Sequence, residues 1–190
     1  MLTGSSSPAF VVRLPEALLR DPERALATEW LETDGQGGFA ASTPWMCPTR
    51  RYHGLLVQRP SANAPRHLFL SRFEEELFHG DDRIGFSCAR YGQSFSPAGQ
   101  AHLQSFELRP YPRASYRLAG LELTREVLLS RSTGAILLRY CVSGDCAGAQ
   151  LSLRPLFACR PADALTFVNE ALDPSVEVDS RGLLFRPYAA

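Results

Sequence analysis

Residues 68–86 read LFLSRFEEELFHGDDRIGF. Leu68–Phe78 is a run of apolar and charged residues. His79-Gly80-Asp81-Asp82 supplies turn chemistry, and Ile84 and Phe86 alternate on the return. Short runs of this kind on either side of a Gly/Asp turn predict a β-hairpin. The unit recurs downstream. Leu103–Leu108 is followed by Tyr116–Leu118, a turn at Ala119-Gly120, and Leu121–Leu129. Ala135–Val142 meets a turn at Ser143-Gly144-Asp145 before Leu151–Phe157. Val176-x-Val178, Ser180-Arg181-Gly182 and Leu183–Phe185 form the last pair. Upstream, Phe10–Leu14 and Leu55–Val57 read as short strands.

Only one helix is predicted, a short one through Arg24–Ala27. Asp21 is its N-cap and Pro22 its first residue. Many strands with regular turns and almost no helix predict an all-β fold, a large antiparallel β-sandwich with at most one or two short helices. The absence of a fixed-period repeat argues against a propeller or solenoid. Residues 1–27 are expected to form a polar lead-in, a short strand and a short helix, and residues 28–190 the sandwich domain. The sequence stops soon after its last strand, as if that strand continued into a partner or further chain.

Composition excludes several classes. Apolar residues make up 45% of the 190, enough for one core, since a domain of this size buries roughly 70% of its unfolded surface. Twenty basic and twenty acidic residues balance, so no net field favours nucleic acid or an anionic membrane. Every basic residue is Arg; they are scattered, and only Arg50-Arg51 are adjacent. Scattered arginines read as compositional bias; a functional reading would need them clustered. Five cysteines without a CxxC pair, and no secretory leader over Met1–Phe10, predict reduced thiols in a cytoplasmic protein. No apolar stretch is long enough to span a membrane.

The stretch richest in chemistry is Glu29–Val57, EWLETDGQGGFAASTPWMCPTRRYHGLLV. Asp34-Gly35-Gln36-Gly37-Gly38 is a tight turn, or a place where a sugar or another domain approaches the backbone. Without a βαβ frame it is no dinucleotide loop. In Arg50-Arg51-Tyr52-His53, an extended backbone would put Arg51 and His53 on one face and Arg50 and Tyr52 on the other. Arginine forks can clamp carboxylates or sugar hydroxyls. Tyr52 with Trp30, Trp45 or Phe39 would make a flat amphipathic surface for a sugar ring. The bland alternative is a structural salt bridge from Arg51 to Glu74, Glu75 or Glu76.

The Glu74-Glu75-Glu76 run invites a glycosidase reading, which needs two carboxyls flanking the scissile bond. A solvated strand face is the competing account. Cys47 and His53 form no metal-ligand spacing with His67, His79 or His102, so no metal and no other cofactor is expected. No GxSxG elbow is present.

E-W-L-x-T-D-G-x-G-G-F-A followed by T-R-R-Y-H-G-L-L-V resembles the opening of the bacterial and archaeal glycogen debranching enzymes, the amylo-α-1,6-glucosidase family. Leu70–Glu75, Leu103–Tyr116 and Leu151–Leu165 resemble later segments of that family in order, so the likeness spans about residues 28–187. It departs where Phe39 and Asp34 replace the common Tyr and Asn, and where Arg160-Pro161-Ala162-Asp163 replaces an R-D-Y-H run.

The resemblance implies a sandwich that precedes a C-terminal (α/α)6 barrel, and a barrel that carries the catalytic acid and base. This chain would then hold no catalytic residue and act with the barrel on α-glucan (glycogen or limit dextrin). The residues expected at substrate or at the domain junction are Trp30, Asp34, Gly37, Gly38, Arg50, Arg51, Tyr52, His53 and Glu75. An independent α-glucan-binding module is the alternative.

Overall fold

A computed structural model describes residues 10–165 and 167–188. Apart from Phe10, the lead-in expected over Met1–Phe10 lies outside the described residues, as does the chain end at 189–190. Strand accounts for 51% of the described residues and helix for 8%, so the fold is all-β as predicted.

Two antiparallel sheets enclose the core. The first has the order β1 (Val12–Arg13), β9 (Leu103–Leu108), β10 (Pro112–Leu118), β11 (Leu121–Leu129) and β12 (Ile136–Ser143). The second runs β13 (Gln150–Pro161), β5 (His67–His79), β4 (Gly54–Gln58), β3 (Phe39–Ser42) and β2 (Trp30–Thr33). The short β6 (Asp82–Gly85) also pairs with β5, beyond the part that β4 occupies. Two hairpins complete the fold, β7 (Cys88–Tyr91) with β8 (Ser94–Ala98) and β14 (Val176–Asp179) with β15 (Gly182–Phe185). The latter packs on β13, where the Phe157 and Phe185 rings lie 4.9 Å apart.

Alternation builds the core. On β11 the buried residues Leu121, Leu123, Val127 and Leu129 recur at every second or fourth position, the period a strand imposes on one face. Ala114, Tyr116 and Leu118 of β10 join them, facing Leu70 and Leu77 of β5. The N-terminal segment shares this core. The helices α1 (Glu16–Leu19) and α2 (Pro22–Ala27) bury Leu19, Ala25 and Leu26 in it. The predicted cap is formed, with Asp21 accepting from the Glu23 and Arg24 amides at 3.0 and 3.2 Å.

β5 carries the one irregularity that matters for the chemistry. Against β13 its Leu70 pairs with Phe157 and its Arg72 with Leu156, so Ser71 is an extra residue. This β-bulge exchanges the faces of the strand. Leu70 points inward before it, and Phe73, Glu75 and Leu77 point inward after it.

The sequence reading missed the β2–β3 hairpin, whose strands are only four residues each, and the β7–β8 hairpin. It also missed α1 and overextended β1, which spans only Val12–Arg13.

Candidate functional site

The β2–β3 hairpin presents the glycine-rich segment as its turn. The Asp34 carboxylate accepts from the Gln36 and Gly38 amides at 2.7 and 2.9 Å, and the Asp34 amide donates to the Gly38 carbonyl at 3.2 Å. Gly37 has φ +98°, a left-handed conformation that favours glycine. Gly38 is required for space: a Cβ there would collide with an Asp34 carboxylate oxygen and lie 2.9 Å from Gln58 Cγ. The tight-turn reading of this segment is therefore the one formed, and the atoms that approach its glycines closely belong to this chain. Asp34 is buried and holds the turn together.

Thr49–His53 is a turn, not a strand, and the predicted pairing of faces changes accordingly. The His53 amide donates to the Arg50 carbonyl at 3.1 Å, which closes the bend. Arg51 is thrown outward while His53 is buried. Arg50 and Tyr52 do act together. Arg50 Nε donates to Glu29 Oε1 at 2.8 Å and Tyr52 Oη to Glu29 Oε2 at 3.1 Å. His53 Nδ1 accepts the Thr49 amide at 3.0 Å, which puts the proton of a neutral ring on Nε2, 3.5 Å from Glu29 Oε2. The hydrogen bond from Arg50 is the main reason that the Glu29 carboxyl lies below its usual range. Burial lowers the His53 pKa despite Glu29 beside it.

Two adjoining clefts open beside this cluster. One, of about 670 Å³, runs along Glu29, Gly37, Phe39 and Tyr52. The other, of about 790 Å³, is lined by Arg50, Arg51, Tyr52, Arg59, Arg66 and Asp163. They share Phe39, Tyr52 and Arg66, so one surface carries both. Arg66 Nε donates to the Gly37 carbonyl at 2.7 Å and its guanidinium stands 6.0 Å from the Phe39 ring centre.

The structure corrects several expected placements. Trp30 and Trp45 are core residues at 3% and 4% exposure. Their indole N–H groups donate to the Thr43 and Leu19 carbonyls. A sugar platform of Trp30, Trp45 and Tyr52 is therefore not formed, and the exposed ring on this face is Tyr52, beside half-buried Phe39. Arg51 makes no salt bridge to Glu74, Glu75 or Glu76; it donates to the Asp163 carbonyl at 3.2 Å. Glu74 is held by Arg72 and Arg154, and Glu76 by Arg83.

Glu75 lies far from the surface chemistry expected of it. It is 1% exposed and bound between the sheets to Arg125 of β11, with Tyr140 Oη donating to it at 2.6 Å. Arg125 Nη2 also reaches Tyr116 Oη at 2.5 Å. Burial, the largest single effect, works to lower the Arg125 pKa, but the Glu75 charge, Tyr116, Tyr140 and the hydrogen bond to Glu75 together raise it. Burial, then the Glu75 charge, raises the Tyr140 pKa. With all its partners inside the sandwich, Glu75 acts as a structural charge.

Glu29, Arg59 and Arg66 were not singled out from sequence. Glu29 opens the quoted motif and could have been found there. The two arginines have no local signal, because the β4–β5 connection brings them to the cleft.

Residues 28–190 match the family described as glycogen debranching enzyme N terminal. The chain belongs to that family. No curated protein and no solved structure gave a significant match. The matched segment of this debranching-enzyme N-terminal domain contains both sheets except β1, and every residue of the two clefts. Among its described residues no group of three or more His, Cys, Asp or Glu side chains could hold a metal ion, and no helix is long and apolar enough to cross a membrane.

Proposed function

We propose that this domain is a non-catalytic wall of the substrate cleft in a glycogen debranching enzyme. In this reading it packs on a C-terminal (α/α)6 barrel that hydrolyses α-1,6-linked glucose in glycogen or limit dextrin. The observation that carries the proposal is the surface shared by the two clefts. Tyr52 and Phe39 offer ring faces for a sugar, and Arg51 and Arg66 offer hydrogen-bond donors.

Glu29 on this surface and the Glu74–Glu76 run are poorly suited to catalysis. Glycoside hydrolysis needs one carboxyl kept protonated as general acid. Glu29 is held in the opposite state by Arg50 and Tyr52. Glu74 and Glu76 are tied up in salt bridges and Glu75 is buried. This chain alone is therefore expected to release no glucose from limit dextrin.

The test is Arg51→Ala in a protein that contains both domains. Arg51 is exposed, and its side chain donates to a backbone carbonyl rather than to a carboxylate. Debranching activity should fall by a larger factor than thermal stability changes. Parallel loss of both would assign Arg51 a structural role and remove the support for a substrate wall.

A further inference from the structure

The arginines scattered along the sequence are not scattered in space. Twelve of the twenty form salt bridges with carboxylates among the described residues. Of the other eight, Arg51, Arg59 and Arg66 line one cleft. A fourth, Arg160, stands at its edge and donates to the Arg51 carbonyl at 2.7 Å. They come from the turn before β4, from the two ends of the β4–β5 connection and from the end of β13, so the convergence is a product of the fold.

Each of the three lining guanidiniums has capacity to spare. Arg51 donates once to the Asp163 carbonyl, Arg59 once to the Ala64 carbonyl, and Arg66 once to the Gly37 carbonyl. A guanidinium has five N–H donors, so most of each fork is unused. Arg160 is held below the usual guanidinium range by burial first and by the Arg51 charge second. Asp163 offsets one charge on this rim; Glu29 is already taken by Arg50. An excess of positive charge remains in a chain whose net charge is zero.

A neutral sugar can accept hydrogen bonds from these forks but leaves their charge uncompensated. A phosphate ester compensates it, because guanidinium forks match its oxygens in paired, charge-assisted hydrogen bonds. We propose that this cleft binds a phosphorylated glucosyl unit, with the phosphate between Arg51, Arg59 and Arg66 and the sugar ring against Tyr52 and Phe39. The volume of about 790 Å³ accommodates it. Only the identity of the sugar rests on the function proposed above; the barrel is not needed.

The test is calorimetric titration of the 190-residue chain at low salt with glucose 6-phosphate, a phosphorylated maltodextrin, inorganic phosphate and maltoheptaose. One or both phosphorylated carbohydrates should bind at least about tenfold tighter than maltoheptaose and than inorganic phosphate. Which of the two binds tells a free sugar phosphate from a phosphorylated glucan. Added salt should weaken binding. Arg59→Gln, whose parent side chain bonds only the nearby Ala64 carbonyl, should weaken it by about tenfold or more with an unchanged melting temperature. Arg66→Gln is the second variant. Equal affinity for phosphorylated and neutral glucan would overturn the proposal, as would inorganic phosphate binding as tightly as the sugar phosphate. So would two folded variants that bind as the parent does. None of these outcomes bears on the Arg51→Ala activity test, so the two readings fail separately.

Discussion

The Glu75 carboxylate and the Arg125 guanidinium join the two sheets of the sandwich through a salt bridge in its interior, at 1% and 4% side-chain exposure. Glu75 comes from β5 and Arg125 from β11, fifty residues later. Tyr116 and Tyr140 complete the network with their hydroxyls, and the Arg125 guanidinium stands 5.4 Å from the Tyr116 ring centre. A small cavity of about 20 Å³ adjoins it, bordered by Ser42, Ser87 and Arg72.

Removing one charge should be far worse than removing both. Glu75→Leu leaves Arg125 buried without its counter-ion and should cost about 3–5 kcal/mol in urea unfolding. Glu75→Leu with Arg125→Met should recover much of that loss. A double variant as unstable as the sum of the two single ones would show that the pair is not coupled.

Tyr140→Phe removes a hydroxyl that donates to a charged carboxylate at 2.6 Å and leaves the ring in place. The expected loss is about 1.5–3 kcal/mol by the same unfolding measurement.

Acidification should destabilise the domain in two stages. The folded pKa of His53 lies below its ordinary 6.5, so in the window beneath that value the unfolded chain binds the additional proton. Stability is then complete above about pH 6.5 and falls as pH drops through it. Glu29 is lowered from 4.5, so its share is present above that value and is lost as pH falls further. Melting temperature measured between about pH 7.5 and pH 5.5 should decline, and His53→Gln should flatten that decline.

Gly38→Ala should loosen the β2–β3 turn, because the added methyl group would collide with the Asp34 carboxylate. A loss of about 1–3 kcal/mol is expected for such overpacking, read as a lower midpoint in thermal unfolding.

Two aromatic substitutions separate core from surface. Trp30→Ala empties a core position and should cost about 3–5 kcal/mol. Tyr52→Ala removes a side chain that is 42% exposed and should change stability by less than about 1 kcal/mol. If Tyr52 packs on sugar, the same variant in a protein that contains both this domain and the proposed barrel should weaken its affinity for glucan.

The strands of β5, β11, β12 and β14–β15 were legible because apolar alternation and Gly/Asp turns are local signals. The face of Glu75 was only half legible. Strand alternation sets it apart from Glu74 and Glu76, but nothing local said that its face was the interior. Trp30 and Trp45 misled for a related reason, since an indole suits a sugar platform and a core equally well until the partners of its N–H are known. The TRRYHG segment reads as a strand by composition, yet the Arg50–His53 hydrogen bond bends it. The convergence of Arg51, Arg59 and Arg66 was out of reach, because loop placement is decided by the sheets beneath.

Ser71 makes the length of β5 as consequential as its composition. Pairing Ser71 as an ordinary residue of the ladder, with no bulge, would shift the rest of the strand by one step. Glu74 and Glu76 would then enter the interior, leaving their arginines outside, and Glu75 would turn away from Arg125. Two carboxylates would confront one guanidinium, and Leu77 would face solvent. The bulge thus works like a reading frame, in which a one-residue slip changes the meaning of every side chain that follows.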